Sequence, residues 1–499
     1  MHAQIEITWG LPMKHPRKTY IGDIIGTDDQ AIYTIRYSAS VFSSSAPTLE
    51  RYKKSDLSLE YTKPIPCKRA DGRHFQPSAI YFVNGKILCF ASYYERETME
   101  IKAYGQILEA NGAVSKSWIE IGKLKSEKKS QQGSFLFTIS NDSASVLLIG
   151  NPPYDSYGDE KFEFSLIDNQ FNFLWKKQVS LPYRDKYFTL NSFMVKENGN
   201  VYMLANISKD KSNMSFRERR TTPTYYYNIL MYEHATDQLT EFPVDLKEKF
   251  ITDVSFNVLG NGNIICAGFY SNKNSVNIIG TFYMQMDHQS KSVITQNVKE
   301  FDQDFLTQFM SAKKASKGRE LYSYDFRHFI IREDGGAVIV AEQFYITQHC
   351  TTDPRTGATS CTYYYHYNDI IVISINPNGQ IDWAKKIAKR QVTANDGGYF
   401  SSFAMAVSGN KLYFMFNDNP KNMLNDGKGI RTMGSAKKSM AVLVTLDSNG
   451  NQTREAMFSN KDLKIILRPK LFLQTTEQEM ILYGQKGKTY KLATVKIGT

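Results

Sequence analysis

No stretch of this 499-residue chain approaches the ~20 consecutive apolar residues needed to span a bilayer. The sequence holds no HExxH, CxxC, GxSxG or Walker motif, and no GxGxxG that opens a helix after a strand. Zincin, thioredoxin-type, serine-hydrolase and nucleotide-binding chemistry therefore lack their usual carriers. Eight histidines are present and none is paired at metal-binding spacing, so no cofactor or metal is expected. The start, Met1 to Gln4, has neither a charged region nor an apolar core and is no complete signal peptide. Ala3 does stand where a small residue would precede a cleavage site, which fits an exported mature chain as well as a cytosolic one.

Net charge is +11, from 61 basic and 50 acidic residues. That surplus admits nucleic acid as a partner. The basic residues are dispersed, however. Their densest groups are Arg217, Arg219 and Arg220, then Lys123, Lys125, Lys128 and Lys129. No RNA-recognition, zinc-finger or helix-turn-helix signature accompanies them, so a solvated surface is the expectation and nucleic acid is not.

Cysteines are few. Cys67, Cys89 and Cys266 are isolated, the last two inside apolar runs, and read as buried thiols. Cys350 and Cys361 bracket a turn-rich loop between two strand-like runs, close enough for a cross-strand disulfide and an oxidising compartment. Free thiols, or a zinc site with His349 and His366, are the alternatives, although the spacing is unlike the usual ligand pair.

What the chain does have is one hairpin written eight times. An apolar run, a short turn of Gly, Asn or Asp, and a second apolar run recur, as in AIYFVNGKILCFASY (79–93), FNVLGNGNIICAGFY (256–270) and AMAVSGNKLYFMFND (404–418). The second runs begin near Ala31, Lys86, Ser145, Asn200, Asn263, Ala337, Lys411 and Glu479. A weaker hairpin lies between copies, such as FSLIDNQFNFLWKKQVSL (164–181) and VISINPNGQIDWAKKIA (372–388). Each unit is then four strands in a meander, and eight such units make an all-β, eight-bladed β-propeller spanning 1–499 as a single domain.

A stacked solenoid competes, and the chain ends decide. After the eighth hairpin only 488–497 fits as a strand, so the last blade lacks its outer member. Residues 4–10 have outer-strand alternation, Ile5 and Ile7 against Glu6 and Thr8, and would complete it. One segment breaks the rhythm. About 302–316, Phe305, Phe309 and Ala312 fall at helical spacing with Gly318 as a stop, which predicts one short inserted helix whose plain role is a lid.

Function must lie where the copies differ. In a meander the first-to-second and third-to-fourth turns share one end, and here they are tight. The second-to-third loops share the other end and are long: 38–47, 151–160, 208–224, 346–362 and 417–438. Insertions gathered on one side of a repeat protein mark a binding face. The anchors expected on that face are Tyr154, Tyr157, Phe216, Arg217, Arg219, Arg220, Tyr225, Met423 and Arg431. Aromatic and Arg anchors suit another protein as partner. Aromatics beside Asp and Asn also suit sugars, so a lectin-like propeller or a propeller glycoside hydrolase is the alternative.

Charged inner-strand candidates, Asp23, Lys196, Asp253, Asp325 and Arg327, form no known catalytic set, and His328 reads as a satisfied channel residue. Ser374 to Trp383 is similar to the Ser-x-Asp-x-Gly-x-x-x-Trp box of sialidases, but Asn376 replaces Asp and an extra residue precedes Gly379. An enzyme is not expected. The Tyr-, Lys-, Asn- and Phe-rich blades, the D-x-N-G-x-x-x-W turns and the Ala3-Gln4 amino end resemble exported propellers of Bacteroidota cell envelopes. One such family is the plug subunit that closes the type IX secretion translocon. That resemblance implies a periplasmic or exported accessory protein that binds an outer-membrane translocon without spanning the membrane. No motif residue carries over from it.

Overall fold

The structure is a computed structural model that describes residues 5–39, 46–69, 71–72, 74–126, 128–211, 214–215, 218–219, 222–317, 319–424 and 429–498. Its architecture is an eight-bladed β-propeller, each blade a meander of four antiparallel strands. Blade one holds strands 19–27, 31–38, 48–53 and 59–64; blade two 77–83, 86–95, 100–109 and 114–125. Blade three holds 134–139, 145–151, 159–168 and 173–184; blade four 188–195, 201–208, 225–233 and 238–244. Blade five has 250–258, 264–271, 280–286 and 293–300; blade six 324–331, 337–352, 359–375 and 381–387. Blade seven has 404–408, 411–418, 440–446 and 452–459; blade eight 467–476, 479–486 and 489–497. Six of the eight second strands start on the residue expected from sequence, and the other two, at Val201 and Ile264, start one residue later.

The burial pattern explains why these runs are strands. Second and third strands are apolar on both faces because a neighbouring blade covers each: Ala31 to Ile35 and Ile370 to Ile375 are almost wholly buried. Outer strands alternate, with Phe173–Arg184 burying Val179 and Leu181 while intervening side chains face solvent. Each seam between blades is filled from both sides. Between blades six and seven, Val340, Val372, Phe414, Val442 and Val444 interlock. Each such side chain contributes about 1.5–3 kcal/mol by leaving water.

The outer strand of blade eight is Ile5–Trp9, which pairs antiparallel with Thr489–Ile497 from Ile5↔Ile497 to Trp9↔Ala493. Ile5, Ile7 and Trp9 pack on the core of blades seven and eight, and Trp9 meets Phe458 edge-on at 5.3 Å. Met13–Lys14 adds a second short pairing with the same terminal strand.

By its internal contacts the chain falls into two compact units. One comprises 15–213 and 224–245, blades one to four. The other comprises 1–14, 214–223 and 246–499, blades five to eight. Inside both, the outer strand of one blade hands a side chain to the third-to-fourth turn of the next. Lys63 Nζ donates to Asn111 O at 2.6 Å, Lys116 Nζ to Gln170 O at 2.7 Å and Lys177 Nζ to Asp237 at 2.9 Å. Trp383 Nε1 likewise donates to Ser448 O at 2.8 Å. The receiving turns are shaped by their first residue: Asp168 Oδ1 accepts from the Gln170 and Asn172 amides, and Asp447 Oδ1 from those of Asn449 and Asn451. Asn376 does the same for Asn378 and Gln380, so the sialidase-like box is a structural turn.

The inserted segment contains two short helices, Gln303–Thr307 and Ala312–Ala315, rather than one. Asp302 caps the first by accepting from Phe305 N at 2.7 Å, and the chain then breaks at 308–311 before Ser311 starts the second. The break lets Phe305, Leu306 and Ala315 all reach the core of blades five and six, the lid role expected. Lys386 fastens it, donating to Gln308 O and lying 5.1 Å from the Phe309 ring. Gly318 lies outside the described residues.

Candidate docking face

The largest departure from the sequence reading is in blade six. The stretch 346–362 was expected to be loop, but its strands run on to Thr352 and from Thr359, leaving only 353–358 as a turn. β-branched and aromatic residues (Ile346, Thr347, Thr351, Tyr363, Tyr364, Tyr365) carry the ladder outward. Cys350 and Cys361 face each other in the register and form a disulfide. Their sulfurs are bonded to each other, so the zinc reading fails. Closer to the blade, Tyr345 stacks on His366 at 4.3 Å, and Thr347 Oγ1 lies 2.9 Å from His366 Nε2. Burial lowers the pKa of His366.

The two edges of this projecting hairpin differ. Gln391–Ala394 pairs with Tyr364–Tyr367 and covers the base of one. On the other, pairing ends at Tyr324↔Gln343, with Phe344 N donating to Ser323 O. Among the described residues no strand pairs the outer edge of Ile346–Thr352. That edge carries no Lys, Arg, Asp, Glu or Pro, the residues that usually guard one. Exposed apolar groups flank it: Ile346 at 50%, Tyr322 at 51% and Tyr363 at 43%.

The anchors expected from sequence fare differently. Tyr154 and Tyr157 are exposed, at 65% and 86%, in the second-to-third loop of blade three. Arg219 is exposed, its backbone amide donating to Ser215 O. Arg431 is exposed too, its amide bound to Asn422 Oδ1 at 2.8 Å. Tyr225 is half-buried, perpendicular to Tyr227 at 5.9 Å, with its phenol pushed up to about 12 by burial. Met423 is half-buried against the core of blades six and seven, and its neighbour Leu424 is the exposed one, at 88%. Phe216, Arg217 and Arg220 lie outside the described residues, as do 40–45 of the first long loop. Blades two and eight have tight second-to-third turns, 96–99 and 487–488, so the elongation is not common to every blade.

The tyrosine loop of blade three is tied down by carboxyls. Asp155 N donates to Asp185 Oδ2 at 2.6 Å, Asp185 N to Gly158 O at 3.1 Å, and Arg184 to Tyr157 O. Glu160 is buried beside Asp185. Burial first, then the Asp185 charge and a hydrogen bond with it, push its carboxyl from 4.5 up to about 8. The fold thus favours protonated Glu160. Its contribution is complete below pH 4.5 and is lost as the pH rises to about 8. Stability followed by urea denaturation should therefore fall across that window, and Glu160→Gln should flatten the fall; an unchanged slope in that variant refutes the assignment.

At the same end of blades six to eight, charged side chains converge that the sequence reading had only partly named. Glu342 and Lys389, both 0% exposed, pair at 2.7 Å. Lys389 Nζ also donates to Tyr367 O and Gln391 Oε1, while Glu342 Oε2 accepts from Ser402 Oγ at 2.7 Å and lies 3.3 Å from Arg327. Burial lowers the pKa of Lys389, and Glu342 opposes that shift. Asp325 lies 3.7 Å from Arg327, and Asp253 accepts from Phe326 N at 2.9 Å; burial raises both carboxyls. Lys470 reaches solvent yet is crowded by protein, which lowers its ammonium to about 8; Nζ donates to Tyr367 OH at 2.7 Å. Gly398, at φ 66°, makes room here, since a Cβ would sit 2.2 Å from the Tyr367 ring.

These groups chiefly satisfy one another, which is what a brace does. His328 is half-buried, 5.8 Å from Phe403, its pKa lowered by burial and then by Arg327. Asp23 and Lys196 lie elsewhere, bound by Tyr37 OH and paired with Glu197. Cys67, Cys89 and Cys266 are buried free thiols, and burial pushes Cys67 up to about 11. Among the described residues no group of three or more His, Cys, Asp or Glu is placed to hold a metal, and no helix is long and apolar enough to cross a membrane.

No protein-family model matches the chain, and no curated protein matches it. Among solved structures it is similar to the WD40 domain of SCAP from fission yeast, at 9% identity over 100% of this chain and 95% of that one, with a TM-score of 0.41. It is also similar to the β-propeller domain of the Trilobed protease from Pyrococcus furiosus, at 10% identity over 89% and 97%, with a TM-score of 0.36. Acylaminoacyl peptidase from Pyrococcus horikoshii matches at 11% identity over 94% and 58%, with a TM-score of 0.36.

Proposed function

We propose that this propeller is a non-catalytic scaffold that holds a partner protein at the long-loop end of blade six, by adding an extended segment of the partner to the open edge Ile346–Thr352. The single observation behind this reading is the asymmetry at the base of the hairpin, where Gln391–Ala394 covers Tyr364–Tyr367 on one edge while the other edge is bare from Ile346 onward. Main-chain hydrogen bonds would supply affinity and the flanking Tyr322, Ile346 and Tyr363 specificity. The disulfide holds the template straight before any partner arrives, which lowers the ordering entropy of binding. It also fits an oxidising, periplasmic or exported setting. Within that setting the finer reading is an accessory or plug subunit of a protein-secretion machine, its partner an outer-membrane translocon. The absence of catalysis is supported by the mutual pairing of the charged cluster.

The test is affinity capture from native cell envelopes followed by amide hydrogen exchange on the captured complex. Protection is expected along 346–352. A complex protected elsewhere, a self-dimer protected along this edge, or recovery without a partner would each overturn the proposal.

A further inference from the structure

We infer that blade two carries a binding site for a neutral saccharide, in a cleft between its outer strands and the link that enters from blade one. The cleft measures about 850 Å³, inside the roughly 300–1,000 Å³ usual for ligand sites. Its position differs from that of the loop tyrosines on which a sugar reading would first be placed, and it is independent of the docking edge on blade six.

Two atoms indicate the ligand chemistry. Gln106 Oε1 and Arg69 Nη1, on residues that line the cleft, are buried with no hydrogen-bond partner among the described residues. Gln106 is only 2% exposed. One is an acceptor and the other a donor, and each left unmet costs about 1–3 kcal/mol. A hydroxyl can meet either, because it both donates and accepts. A purely apolar ligand meets neither.

Charge excludes an ionic ligand. The lining balances Lys68, Arg69 and Arg96 against Asp71, Glu95 and Glu97. Arg69 is already paired with Asp71 at 2.9 Å, and Glu95 with Lys102 at 2.6 Å. The walls are aromatic and fixed. Trp118 Nε1 donates to Pro66 O at 2.7 Å, and its ring lies 4.6 Å from Phe75, which in turn lies 4.8 Å from Tyr104. Arg69 lies over Tyr93 at 3.2 Å. Half-buried Trp118 and Tyr104 are left as the surface for the C–H face of a sugar ring.

Calorimetric titration of the intact protein with cellohexaose, chitohexaose, maltohexaose and mannohexaose tests this, with polygalacturonate as the charged control. At least one neutral oligosaccharide is expected to bind saturably. Trp118→Ala and Gln106→Leu should each weaken it by about tenfold or more, and Trp118→Phe by less. Gln106→Leu should melt no lower than the parent, since it removes an unmet acceptor, so lost binding there is not lost folding. Binding by none of the four, binding that survives both substitutions, or binding of polygalacturonate alone overturns the inference.

Discussion

Glu342→Leu should destabilise the protein by about 3–5 kcal/mol, the largest effect expected of a single substitution here. Lys389 is 0% exposed and would keep only Tyr367 O and Gln391 Oε1 as acceptors, with no carboxylate in direct contact and only the charges of Asp369 and Asp418 to oppose its own. Lys389→Met should cost less, because Glu342 retains Ser402 and Arg327. The double variant should lie nearer the parent than Glu342→Leu does, since a removed pair leaves no stranded ion. Urea denaturation of the three variants measures the order. A loss under ~1 kcal/mol for Glu342→Leu would place it with ordinary surface changes and refute the role of the pair.

Removing residues 1–10 should have the second large effect, about 4 kcal/mol or more on the unit of blades five to eight. The deletion strips Ile5, Ile7 and Trp9 from the core of blades seven and eight and bares the edge of Thr489–Ile497. Chemical denaturation should show the lower midpoint, and size exclusion should show association through the bared strand. An unchanged midpoint in a monomeric product would mean that the terminal pairing contributes nothing.

Much of this was legible in the sequence because a blade is a local object. Tight Asn-Gly and Asp-Gly turns and alternation fix each hairpin within some fifteen residues, which is why starts such as Ala31, Lys86 and Glu479 fall where the pattern puts them. The closing strand was legible for the same reason, since Ile5 and Ile7 alternate and blade eight is one strand short. What failed was non-local or directional. Glu342, Lys389, Ser402 and Lys470 come from different blades and their links, and only folding brings them together. A Glu within the apolar run 337–344 was the one available hint. Met423 and Leu424 are neighbours of similar hydrophobicity, and nothing in their types tells which turns inward. The projecting hairpin was hidden by its own polar threonines, which suit a strand and a loop alike.

Pairing Ile5–Trp9 with Thr489–Ile497 also dictates the timetable of biosynthesis. Ile5–Trp9 leaves the ribosome well before Thr489–Ile497 and must wait for it, uncommitted. Once Thr489–Ile497 is exposed, the place of Ile5–Trp9 beside it can be taken by the same segment of a neighbouring chain on one messenger, giving interlocked pairs that sort slowly because the native pairing joins segments far apart in the sequence. Yield of the correctly closed monomer should therefore depend on how densely ribosomes load, independently of how stable the finished protein is.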